Sequence, residues 1–160
     1  MRNRLSEDED YRIWTSLAQT RALLYMARGR ELIKYNISPR EAAALVAIQA
    51  IGSKATPAKV SRWLYREPHT VSSLLSRMEG EGLVRKTKDL DKKNLVRITL
   101  TEKGKKAYAQ SLRREVIHEI ISSLSKEDRQ LLSSCLEKLR DKAFLVLGKN
   151  KKPLYSLPNE

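Results

Sequence analysis

The stretch that decides the fold runs from Val71 to Gly104 and reads VSSLLSRMEG EGLVRKTKDL DKKNLVRITL TEKG. Its opening places Val71, Leu74, Leu75 and Met78 at the i, i+3, i+4, i+7 spacing of one helix face. Gly80 and Gly82 close that helix, and the apolar period then drops to two. Leu83-Val84-Arg85-Lys86-Thr87-Lys88 and Leu95-Val96-Arg97-Ile98-Thr99-Leu100 are β-rich runs flanking a polar turn, Asp89-Leu90-Asp91-Lys92-Lys93-Asn94. Such runs around a polar turn predict a hairpin with basic residues at its tip.

Working upstream, Pro68 opens the helix just described, and Thr56-Pro57 opens a shorter one with Val60, Trp63 and Leu64 inward, ending near Tyr65. Two short helices across a tight turn form a helix-turn-helix, and the hairpin that follows makes it a winged helix. Ser38-Pro39-Arg40-Glu41 carries a capping residue, a proline at the first helical position and an acid at the third, starting a helix over Arg40–Ala50. Before it, Ile13, Trp14, Leu17, Leu24, Met26, Leu32 and Ile33 predict one long amphipathic helix from Asp10 to about Tyr35.

Downstream, Thr101 caps a helix expected to run past Gly104 with Leu112, Val116, Ile117, Ile120, Ile121 and Leu124 as a single stripe. Ser125 starts a last helix with Leu131, Leu132, Cys135, Leu136, Leu139 and Ala143 inward, and Gly148–Glu160 reads as a loosely held tail. The fold class is mainly α (α+β): a winged helix-turn-helix with a two-stranded wing and N- and C-terminal dimerisation helices. The expected division is 1–36 for the first dimerisation helix, 37–104 for the DNA-binding domain, 105–147 for the C-terminal dimerisation helices and 148–160 for the tail. The terminal helices carry more apolar stripe than a small winged domain can cover, which predicts a twofold homodimer.

The 160 residues carry 32 Lys and Arg against 19 Asp and Glu, a net charge of +13. Residues 51–106 hold 14 basic and 6 acidic side chains, so +8 of the excess falls in about a third of the chain. That concentration favours a polyanionic partner over an evenly solvated surface. No apolar run approaches the ~20 residues of a membrane helix, and the N-terminus has no signal-peptide core, so a cytoplasmic protein is expected. A lone cysteine, Cys135, excludes an internal disulfide and reads as a buried, inert thiol. His69 and His118 lack partners at ligand spacing, and no nucleophile–base pair or phosphate-binding glycine loop is present. No metal, cofactor or enzymatic activity is therefore expected.

With Val71, Leu74, Leu75 and Met78 inward, helical geometry turns His69, Ser73, Ser76 and Arg77 away from the core, with Thr70 and Ser72 on the flanks. Short hydroxyls and an imidazole let a helix approach base edges in a major groove, and Arg77 reaches a guanine edge or a phosphate. Lys59, Arg62 and Arg66 are candidate phosphate contacts, which position a protein without reading sequence. Trp14, Tyr25 and Trp63 suit ordinary core better than the lining of a ligand pocket.

The run from Ser38 to Gly104 resembles the MarR family of winged-helix regulators. The resemblance rests on Ser72-Ser73-Leu74-Leu75-Ser76-Arg77-Met78-Glu79-Gly80-Glu81-Gly82-Leu83-Val84 and on Leu100-Thr101-Glu102-Lys103-Gly104. It implies a homodimeric transcription regulator, most often a repressor, that binds double-stranded DNA at a pseudo-palindromic operator and responds to a small aromatic effector. It also implies that the wing, with Lys88, Asp91, Lys92, Lys93 and Arg97, meets the adjacent minor groove. The family's wing carries an Asp-x-Arg motif; here Asp91-Lys92-Lys93 has Lys for Arg, so either Lys93 or Arg97 stands in for the arginine. The competing reading is an architectural DNA or RNA binder with the same basic surface and no sequence preference.

Overall fold

Most helix boundaries follow from local capping chemistry. The structure, a computed structural model, describes residues 8–89 and 94–148. Helix α1 (Glu9–Leu32) starts where the Asp8 carboxylate accepts the Tyr11 N–H at 3.0 Å. It tightens into a 3-10 turn over Ile33–Tyr35, and Asn36 leaves it in the left-handed region. At α2 (Pro39–Ile51) the Ser38 hydroxyl accepts the Glu41 N–H while the Glu41 carboxylate accepts the Ser38 N–H at 2.7 Å. Thr56 caps α3 (Pro57–Leu64) and Pro68 begins α4 (Pro68–Gly80). Strands β1 (Val84–Lys88) and β2 (Val96–Leu100) pair antiparallel, from Val84 opposite Leu100 to Lys88 opposite Val96. Thr101 caps α5 (Glu102–Ser111), α6 (Glu115–Ile121) follows, and Ser125 caps α7 (Lys126–Val146).

The core is the winged domain. Leu45, Val60, Val71, Leu75, Met78 and Ile98 are fully buried, and Leu32 from the end of α1 joins them. The wing is seated on this core because Thr101 donates its N–H to the Leu83 carbonyl at 3.1 Å and its hydroxyl to the Gly82 carbonyl at 2.5 Å. Gly104 then passes so close to Leu83 that a β-carbon there would overlap the Leu83 carbonyl oxygen.

The structure corrects several expectations. The stripe predicted as one helix from Thr101 to Leu124 is broken: α5 ends at Ser111, Arg114 is left-handed at φ 54°, and α6 begins at Glu115. Long-range polar ties hold the corner. Arg28 of α1 bonds both Glu31 and the Ser111 carbonyl, and Glu31 accepts the Val116 N–H at 3.2 Å. The long first helix ends where expected, near Tyr35, its last turn tightened to 3-10 over Ile33–Tyr35.

Cys135, expected to be buried, is exposed. So are Leu131, Leu132, Leu136 and Leu139, and α7 buries no residue at all; its Phe144 ring packs against Tyr65, centroids 5.2 Å apart. Trp14 and Tyr25, expected in the core, are exposed, Trp14 by 69%; Trp63 is half-buried against the core as expected. The physical reason is common to all of these. The periodicity correctly marks a face, but among the described residues it stays open to solvent: Ile13 and Leu17 of α1 and Leu132 of α7 line one shallow cleft and remain exposed. No described helix is long and apolar enough to cross a membrane. Among the described residues, no group of three or more His, Cys, Asp and Glu side chains is placed to hold a metal ion.

Candidate nucleic-acid interface

The turn into α4 is tightly specified. Tyr65 is left-handed, its N–H reaching Ser61 and Arg62 carbonyls, and the buried Ser61 hydroxyl donates to the Arg66 carbonyl at 2.5 Å. Ser61 also accepts the Arg66 N–H through its carbonyl at 3.1 Å. Val71, Leu75 and Met78 seat α4 on the core, with Leu74 half-buried beside them. The opposite side is left to solvent: His69, Thr70, Ser72, Ser73 and Ser76 are all exposed. The Ser73 hydroxyl is occupied with the His69 carbonyl at 3.0 Å, and Thr70 Oγ1 lies 3.3 Å from His69 Nε2. These are small side chains folded back onto the helix, so an approaching surface meets a low profile.

The base of the wing is tied to the same helix. The Lys86 ammonium donates to the Ser76 hydroxyl at 2.8 Å, and its N–H donates to the Glu79 carboxylate at 3.0 Å. Neither Lys86 nor Glu79 stood out in the sequence, because a strand–helix contact ten residues apart has no local signature. Lys88 is exposed at the end of β1. Arg97 is half-buried and pairs with Asp89, just past the loop-side end of β1, at 2.6 Å. Asp91, Lys92 and Lys93 lie outside the described residues.

Among the candidate phosphate contacts, Arg62 and Arg66 are exposed and Lys59 is half-buried. The structure brings Arg66, His69, Thr70, Ser73 and Arg77 together along one cleft of about 470 Å3, which Arg40 and Tyr25 also line. Lys59 and Arg62 are not part of that cleft. Arg77 is exposed but occupied: its Nε and Nη2 donate to Glu41 Oε1 at 3.2 and 3.0 Å, and Glu81 lies 3.7 Å away.

Burial acts to raise the Glu41 carboxyl, but the Ser38 N–H and hydroxyl and the Arg77 charge outweigh it and hold the group below its ordinary value. Glu31 is likewise lowered, burial being outweighed by Arg28 and the Val116 N–H. A carboxyl whose folded-state pKa is depressed stabilises the fold fully above its unfolded value, about 4.3, and loses that contribution as pH falls through the folded value. The urea midpoint is therefore expected to be level near neutrality and to fall below about pH 4.3. Glu41→Gln should flatten part of that acid limb; an unchanged limb would remove Glu41 from it.

Residues 37–104 match the winged helix DNA-binding domain family. The whole chain is similar to the organohalide-sensing RdhR-CbdbA1625 transcriptional regulator, 34% identical, covering 96% of this chain and 92% of that one with a TM-score of 0.88. The chain belongs to the MarR family of winged-helix transcriptional regulators. The same figures hold against the form of RdhR-CbdbA1625 with 2,4-dichlorophenol bound. An uncharacterised HTH-type transcriptional regulator of Bacillus subtilis, YsmB, is 26% identical over 74% of this chain and 83% of its own length. A mutant of E. coli MarR in complex with operator DNA shares the fold, with a TM-score of 0.75 at 17% identity over 79% of this chain and 92% of that one. This MarR-family protein thus has regulators, rather than enzymes, among its relatives.

Proposed function

We propose that this MarR-family protein is a homodimeric repressor that binds a pseudo-palindromic operator through α4 and the wing, and releases it when a small aromatic effector binds. The observation that carries the reading is the exposed face of α4. His69, Thr70, Ser72, Ser73 and Ser76 stand opposite the buried Val71, Leu75 and Met78 on a helix fixed at its turn and braced by Lys86. Short hydroxyls let that face enter a major groove, and Arg62, Arg66 and Lys59 neutralise flanking phosphates. Arg97 being tied to Asp89 leaves Lys93, with Lys88, Asp91 and Lys92, as the wing's candidate minor-groove group. Residues 1–36 and 105–147 serve as the dimerisation helices around the 37–104 domain.

The reading of an effector draws on the dichlorophenol-bound relative. It also draws on a cleft of about 880 Å3 between α1, α2, α4 and α5, lined by Ile33, Tyr35, Ile37, Leu83 and Ala107 among others. A ligand that favours dimers with misaligned reading helices lowers DNA affinity by shifting the population.

The deciding experiment is fluorescence anisotropy against the DNA upstream of the protein's own gene, with shuffled DNA of the same composition, at two salt concentrations. The expected result is binding tighter to the upstream fragment by ~10³-fold or more, with half-sites about 10 bp apart. Equal, steeply salt-dependent binding to both would replace this reading with the architectural one.

A further inference from the structure

Glu41 is a carboxylate with a 7%-exposed side chain, held in the first turn of α2, and the charge that faces it comes from α4. Its Oε2 accepts the Ser38 N–H at 2.7 Å, and its Oε1 accepts Nε and Nη2 of Arg77. The two residues are 36 apart in sequence, so the pair joins the start of one helix to the last turn of another. An Arg that left this site for a base edge would strand a buried carboxylate, an arrangement that strongly destabilises proteins.

We infer that Arg77 is a positioning residue: clamped to Glu41, it sets the seating of α4 on α2 and affects DNA binding through that seating, without contacting a base or a phosphate. This replaces the guanine or phosphate contact expected from the sequence. It rests on the reading that α4 meets DNA, and it assigns the reach of one exposed arginine to Glu41 rather than to the nucleic acid.

The test compares wild type, Glu41→Gln, Arg77→Ala and the double variant on the same upstream and shuffled fragments, as the full-length chain, with far-UV circular dichroism confirming the fold. The clamp predicts that both single variants lose operator affinity by about the same factor, on the order of tenfold, and that the double variant loses no more than either. The preference at each base pair should keep its shape. The dependence of log affinity on log salt should keep its slope, since no phosphate contact is lost.

Three results would overturn it: Glu41→Gln leaving affinity unchanged or raised, Arg77→Ala flattening preference at one base pair, or Arg77→Ala lowering the salt slope by about one. If Arg77→Ala does not fold, Arg77→Gln takes its place in the same cycle, since it also removes the charge that faces Glu41, and its base-pair preference and salt slope are read in the same way. If wild type fails to prefer the upstream fragment, the operator reading is at fault, and amide exchange without DNA decides for the clamp. Glu41→Gln should then speed exchange across Ser72–Met78 while leaving Val60 in α3 protected; unchanged exchange in α4 refutes the clamp.

Discussion

Gly104→Ala is expected to lower the unfolding midpoint by about 10 °C, or to prevent folding, although the change adds one methyl group. A β-carbon at this position overlaps the Leu83 carbonyl oxygen, with the Leu83 carbonyl carbon close behind it. The obstruction is backbone, so no rotamer change relieves it. That carbonyl also accepts the Thr101 N–H at 3.1 Å, and Thr101 in turn caps α5 through the Gly104 N–H at 3.0 Å. Moving Leu83 away would pull apart the corner where β1, β2 and α5 meet. Overpacked sites typically cost 1–3 kcal/mol and occasionally more, and for a chain of this size each kcal/mol shifts the midpoint by roughly 2–4 °C. Gly80→Ala is the control. Nothing lies within 4 Å of its added β-carbon, and the position is helical, so it should be neutral or stabilising by up to about 1 kcal/mol. Equal midpoints for the two variants would show that the close approach is not a constraint.

Leu131→Glu combined with Leu139→Glu should leave the chain folded, convert the proposed dimer to monomer and reduce affinity for the proposed operator by about 10²- to 10⁴-fold, the advantage of linking two binding modules. Leu131 is 66% exposed and Leu139 49%, so in the isolated chain neither side chain has a contact of weight to lose. Exposed substitutions away from special features usually change stability by no more than about 0.5 kcal/mol. Yet the two sit on one stripe of α7 with Leu132, Cys135 and Leu136, and α1 presents Ile13, Trp14 and Leu17 in the same condition. Contiguous exposed apolar faces of this kind mark protein–protein contacts. Sedimentation and anisotropy on one preparation check both halves of the expectation. A dimer with full affinity would move the interface off this stripe, and a monomer with full affinity would show that one copy suffices.

How much of this was legible depended on how far apart the deciding atoms are. Ser38, Thr56, Thr101 and Ser125 each satisfy a helix end within three residues, so those helix starts could be read directly. The buried set Val71, Leu75 and Met78 followed from spacing alone, and with it the exposed set on the other side of α4. The break at Arg114 could not be read. The apolar stripe runs on through it, and the ties that make the corner, Arg28 to Ser111 and Glu31 to Val116, span 83 and 85 residues.

Glu41 shows both regimes in one side chain. Its bond to Ser38 is local and was visible as a capping pattern; its bond to Arg77 is not, and it turned an apparent base reader into a group held by the protein itself. Cys135 makes the same point for packing. Period 3.6 placed it on an apolar stripe, but periodicity states only that a face wants to leave water, and among the described residues Cys135 stays exposed. Elements, caps and the two faces of α4 are short-range consequences of backbone hydrogen bonding and side-chain period, so they are written in the order of residues. Which charges are spent internally, where a helix breaks, and which apolar faces stay bare depend on groups that meet only after the chain has closed on itself.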